Sequence, residues 1–171
     1  MKCINFECKV QVDDLSQPEG ILKSMNPKFI GEDYQMDTYF NVEKGRLKLR
    51  QGNIENALIY YMRGDQQSIT QSDILLYRHK PDESLIEILT AIHGIKVIVE
   101  KKRRIYFLEN VKFHFDQVKG LGTFAEIEAI DNEGQFTVNE LKEQCDHFFK
   151  KLEYQKDQIV GKSYADMLAP S

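Results

Sequence analysis

The chain has 171 residues, 42% hydrophobic and 29% charged, with a formal net charge of -4. That is room for one domain over residues 1–171 with a sizeable core, and too little for two. The mild negative balance gives no general attraction to nucleic acid or an anionic membrane, and no segment approaches the roughly 18 apolar residues of a membrane span. Any anion site must therefore be local, built by concentrating some of the 23 basic residues.

The N-terminal stretch MKCINFECKV carries charges too closely spaced for a secretory leader, so a cytoplasmic protein with reduced thiols is expected. Cys3, Cys8 and Cys145 form no CxxC pair, and no Cys/His set completes a tetrahedral zinc site. From here a period of two dominates, the mark of strands. Strands are expected over Ile4–Val12, Asp33–Val42, Arg46–Gln51, Asn56–Arg63, Asp73–His79, Ile95–Leu108, Val111–Val118 and Thr123–Asp131. Short polar or glycine-containing turns, such as Glu43-Lys44-Gly45 and Asn132-Glu133-Gly134, join several of them as antiparallel hairpins. Three helices interrupt the series: Leu15–Met25, Asp82–His93 between Pro81 and Gly94, and Val138–Gln155. The third has Leu141, Cys145, Phe148 and Leu152 at helical spacing, with Thr137 and Glu140 placed as a capping box.

Alternation sorts the charges. The first strand sets Glu7 and Lys9 opposite Phe6, Cys8 and Val10. Arg46, Lys48 and Arg50 share one face, as do Glu126 and Glu128, and as do Lys112, His114 and Asp116. Lys101 and Arg103 fall in line with Val97 and Val99. A sheet with one wet face would account for any one strand alone. Two-signed clusters on many strands, with too few helices to cover a broad flat sheet, favour an α+β fold. Its centre is a closed eight-stranded antiparallel β-tunnel or barrel, polar inside, with helices packed outside. Such an interior needs partners for both signs: a polyanion for the basic ring and hard cations for the carboxylates. A triphosphate with Mg²⁺ or Mn²⁺ satisfies both.

The stretches Asn5–Lys9 (NFECK), Gln35–Arg50 (QMDTYFNVEKGRLKLR), Leu58–Arg63 (LIYYMR), Val99–Tyr106 (VEKKRRIY) and His114–Glu128 (HFDQVKGLGTFAEIE) resemble the CYTH superfamily, the triphosphate tunnel metalloenzymes. Within it they are similar to the class IV adenylate cyclase group. The resemblance implies that Lys9, Lys48, Arg50, Arg63, Lys101 and Arg103 bind substrate phosphates, with Arg46 a weaker candidate. It implies that Glu7, Asp116, Glu126 and Glu128 bind metal, and that Glu7, Lys9, Asp116 and Glu126 are catalytic. His114 either relays a proton or packs; Asp37 and Tyr39 are expected to build the fold.

Two departures stand out. Asn5 replaces the first Glu of the family's Glu-x-Glu-x-Lys, removing one anionic ligand. Thr70 and Ile74 stand where relatives often carry Lys and Tyr, so that one phosphate contact is lost or comes from Lys80. The implied activity is conversion of ATP to cyclic AMP and pyrophosphate. The alternatives are hydrolysis of tripolyphosphate or of a nucleoside or thiamine triphosphate, and triphosphate binding without turnover. The apolar helix face either closes a homodimer or covers the tunnel.

Overall fold

The computed structural model describes residues 2–63 and 70–169, without the side chains of Lys2, Cys3, Arg63 and Thr70–Ser72. Eight strands form one closed barrel: β1 (Lys2–Gln11), β2 (Lys28–Phe40), β3 (Arg46–Gln51), β4 (Ala57–Arg63), β5 (Thr70–Arg78), β6 (Ile95–Leu108), β7 (Val111–Val118) and β8 (Gly122–Asp131). They are ordered β1-β5-β4-β3-β2-β6-β7-β8, and every neighbouring pair is antiparallel. The closed, polar-inside barrel expected from alternation is the observed fold.

Outward alternation supplies the apolar layer that the helices cover. Phe6, Cys8 and Val10 of β1, Phe113 and Phe115 of β7, and Ala125, Ile127 and Ala129 of β8 pack with Leu22 of α1 (Ser16–Ser24) and with Leu141 and Cys145 of α3 (Val138–Lys151). Fully burying one such phenylalanine contributes about 1.5–3 kcal/mol. Helix α2 (Glu83–His93) covers Phe40 and Leu49 with Leu89. Asp82 caps it by accepting from the Ser84 amide. The Thr137–Glu140 capping box on α3 is present, and α3 stops at Lys151, earlier than its apolar spacing suggested.

Strand β2 begins at Lys28, five residues before the expected start, because a register shift at Phe29/Gly31 lets the chain continue past a bulge. The chain also has elements that periodicity did not signal: a 3-10 turn at Lys156–Gln158 and a short helix α4 (Tyr164–Leu168). Tyr164 and Ala165 pack against Tyr39, Val99, Val118 and Phe124, inward-facing residues at one end of the barrel. Helix α4 therefore stoppers that end. No helix among the described residues is long and apolar enough to cross a membrane.

Candidate functional site

Inward alternation on β1, β2, β3, β6, β7 and β8 delivers the charged residues to one cavity of about 660 Å³. Glu7, Lys9, Lys48, Arg50, Lys101, Arg103, Glu126 and Glu128 all line it, together with Asp37, Lys112 and His114. Arg63 is on β4, but its side chain lies outside the described residues, as does that of Thr70. Lys80 is exposed in the segment after β5 and is not among the lining residues.

The largest basic cluster gathers on Asp37. Arg50 donates to it from Nε at 2.9 Å and from Nη2 at 2.8 Å, Lys101 from Nζ at 2.8 Å, and Lys48 from Nζ at 3.3 Å. Burial alone would push the Asp37 carboxyl up; Arg50, Lys101 and Lys48 together hold it well below the usual carboxylate range. Lys101 pays the opposite way: burial, and the neighbouring Arg50, Arg103 and Lys48, lower it to about 7 against the pull of Asp37. Three basic groups gather on Asp37, with Glu55 sharing only Arg50, so base exceeds carboxylate in a desolvated place, an excess that a polyanion would relieve. Asp37 is thus more than the fold-building residue expected, because it positions the phosphate-binding candidates.

A second cluster is balanced. Arg103 grips Asp116 bidentately at 2.7 and 2.6 Å and reaches Glu126 Oε2 at 2.8 Å. Lys9 Nζ sits 3.5 Å from Glu126 Oε1. His114 Nδ1 is 2.9 Å from Glu126 Oε2, and the Tyr164 hydroxyl donates to Asp116 at 2.7 Å. His114 is buried. Burial and Arg103 lower it to about 4, although Glu126 opposes this, so the ring is neutral at neutral pH. Arg46, the weaker phosphate candidate, is turned instead to α4, donating to Ser163 and, at 2.7 Å, to Asp166.

The third cluster is anionic. Glu7 and Glu128 are directly opposed across β1 and β8. Asn5 donates from Nδ2 to Glu128 Oε1 at 2.6 Å, and its own Oδ1 is buried without a hydrogen-bond partner. Burial raises Glu128, and Glu7 raises it further, against the pull of Lys112. Among the described residues, no three His, Cys, Asp or Glu side chains converge closely enough to hold a metal by themselves. Two hard carboxylates and a neighbouring amide oxygen still suit Mg²⁺ or Mn²⁺, which take one or two carboxylates and complete their shell with water and phosphate oxygens. Asp116 and Glu126, expected as metal ligands, are engaged here by Arg103, Lys9, Tyr164 and His114.

At the mouth, Asp33 accepts from the amides of Ile54 and Glu55, both at 2.9 Å. A Cβ at Gly52 would lie 2.6 Å from Asp33 Oδ1, so only glycine admits this approach. It holds Glu55 where it pairs with Arg50 and Lys112.

The family described as "CYTH domain" matches residues 4–164. A Methanocaldococcus jannaschii protein named "putative adenylate cyclase" is 30% identical over 96% of this chain and 98% of its own. A Pyrococcus horikoshii protein of solved structure superposes with a TM-score of 0.82 at 23% identity, covering 95% of this chain and 98% of that one. A Hippeastrum protein, described as a "putative adenylyl cyclase" with a dominant triphosphatase activity, superposes with a TM-score of 0.63 at 15% identity, covering 98% and 94%.

Proposed function

The chain belongs to the CYTH domain family, and on that premise we propose that it is a metal-dependent, triphosphate-processing enzyme of adenylate cyclase type, converting ATP to cyclic AMP and pyrophosphate. The observation that carries the reading is the polarised interior. An excess of basic groups on Asp37 stands across one cavity from the opposed carboxylates Glu7 and Glu128. The Methanocaldococcus relative named for cyclase chemistry supports the choice of reaction.

In this mechanism Lys48, Arg50 and Lys101 bind phosphate oxygens, exchanging part of their contact with Asp37 for contact with substrate. Arg forks grip two oxygens at once, and the lysines act as point charges. Arg103, fixed by Asp116 and Glu126, reaches its position with its orientation set before substrate arrives. Lys9 and Arg50 stabilise charge as the ribose 3′-hydroxyl loses its proton to solvent, its oxygen bonds to the α-phosphorus and the bond to the departing pyrophosphate breaks. Glu7, Glu128 and the Asn5 amide oxygen would hold a divalent cation, which supplies charge neutralisation and polarisation of the phosphoryl group. Helix α4 and Tyr164 exclude water from the stoppered end.

A second reading, hydrolysis of a triphosphate, is favoured by the Hippeastrum neighbour's described activity. The same grip serves both reactions, with water replacing the ribose hydroxyl. Incubation with ATP and Mg²⁺ or Mn²⁺, with cyclic AMP and orthophosphate quantified together, separates them. Cyclic AMP as the main product supports the cyclase; orthophosphate without cyclic AMP overturns it in favour of hydrolysis.

A further inference from the structure

The cavity has one wall of a different kind. On β4 and β5, inward alternation delivers Ala57, Ile59, Ile74 and Leu76, with Tyr61 beside them and Arg78 at the end of β5. The register joins them into one patch: Ile59 stands opposite Leu76, and Tyr61 opposite Ile74. On its other side Ile59 stands opposite Lys48, so the patch directly borders the phosphate-binding candidates. Ile59 is buried, while Ile74 and Leu76 keep partial exposure toward the cavity they line.

A bare polyphosphate presents charged oxygens on every side and gains nothing from an apolar wall. Desolvating an anion against it is unfavourable. The cavity is also large. About 660 Å³ lies within the roughly 300–1,000 Å³ of sites that enclose a drug-sized organic ligand. Tyr39, Lys48, Ile59 and Leu76 form one row of register partners across β2, β3, β4 and β5, so the apolar wall continues directly from the basic ring.

We propose that the β4–β5 wall is the subsite for the organic group of the substrate, so that the enzyme selects a triphosphate ester bearing an apolar or planar group, such as a nucleoside triphosphate, over inorganic tripolyphosphate. The proposal rests on the reading of the interior as a triphosphate site. Ile59, Ile74 and Leu76 offer the organic group a surface without side-chain donors or acceptors. They would select for the presence of such a group rather than for one base over another.

The test is calorimetric titration of the full chain with ATP and with tripolyphosphate in Mg²⁺ buffer, for the wild type, Leu76→Ala and Ile74→Ala. Truncating Leu76 is expected to weaken ATP about tenfold, from lost apolar burial. Tripolyphosphate is expected to change by less than about twofold under the same loss. Tripolyphosphate binding by the same sample also reports that the variant is folded. Equal weakening of both ligands, or of neither, would overturn the proposal while leaving the triphosphate site intact. A wild type that binds neither ligand would overturn the underlying reading as well.

Discussion

Lys101 donates to Asp37 at 2.8 Å although the two are 64 positions apart and are not register partners. Lys101 stands opposite Gln35, and Asp37 opposite Val99, so the contact runs diagonally between β2 and β6. Because Arg50 and Lys48 reach the same carboxylate, Asp37 sets the geometry of three basic groups at once.

Asp37→Asn should therefore be strongly destabilising. Removing one partner of a buried ion pair costs about 3–5 kcal/mol. At about 2–4 °C per kcal/mol for a chain of this size, the unfolding midpoint falls by roughly 6–20 °C. Added tripolyphosphate should restore more of the midpoint in the variant than it adds to the wild type, since it replaces the lost anion. Thermal unfolding with and without ligand checks this. An unchanged midpoint would remove Asp37 from its positioning role.

Lys101 makes a pH prediction. It is lowered to about 7 by burial and neighbouring cations, so above that pH the free protein holds it largely neutral. Phosphate oxygens favour the charged form, so binding at pH 8 should take up protons, and affinity should fall as pH rises past 7. Calorimetry in two buffers of different ionisation enthalpy measures the uptake. It should vanish in Lys101→Met; equal heats in both buffers for the wild type would contradict the assignment.

Glu126→Gln and Glu128→Gln should part company. Burial raises Glu126, but Arg103 and Lys9 hold it well below its usual range. Its folded-state value is depressed, so its stabilisation is present above the unfolded carboxylate range and is lost on acidification. Glu126→Gln should therefore lower the midpoint at neutral pH. Glu128 is raised, by burial and then Glu7, so Glu128→Gln should leave the midpoint unchanged or higher while raising the metal concentration needed for activity at least tenfold, the loss of about 1.4 kcal/mol. A metal requirement unaltered by Glu128→Gln would exclude it as a ligand.

Arg46→Ala should loosen the stopper rather than the phosphate grip. Arg46 and Asp166 are partly exposed, so the ion pair itself is worth only about 0–1 kcal/mol. Limited proteolysis should cut the C-terminal segment faster in the variant, with the Kd for tripolyphosphate little changed. A large loss of affinity would return Arg46 to the binding set.

The barrel was legible because closed antiparallel sheets write their two faces at a period of two. Leu47 and Leu49 against Lys48 and Arg50, or Ile127 against Glu126 and Glu128, need no further information. Alternation does not say which inward residues meet across the barrel. The convergence on Asp37, where Arg50 is a register partner but Lys48 and Lys101 arrive diagonally, therefore stayed hidden, and Asp116 and Glu126 could not be told apart from Glu7 and Glu128. Helix α4 escaped because five residues carry too little periodicity, and its place comes from Tyr164 packing on Phe124 and bonding to Asp116. The apolar wall on β4 and β5 was visible as residues, but its meaning required knowing that it faced the cavity.

Chromatography of the products formed from ATP and from tripolyphosphate, with and without Mg²⁺ or Mn²⁺, distinguishes turnover from binding. Cyclic AMP and pyrophosphate are expected from ATP, dependent on the metal and lost, at the metal concentration that suffices for the wild type, in Glu128→Gln protein that remains folded. Recovery of both triphosphates intact after prolonged incubation with metal, across a broad pH range, would contradict it and leave a binding module without turnover.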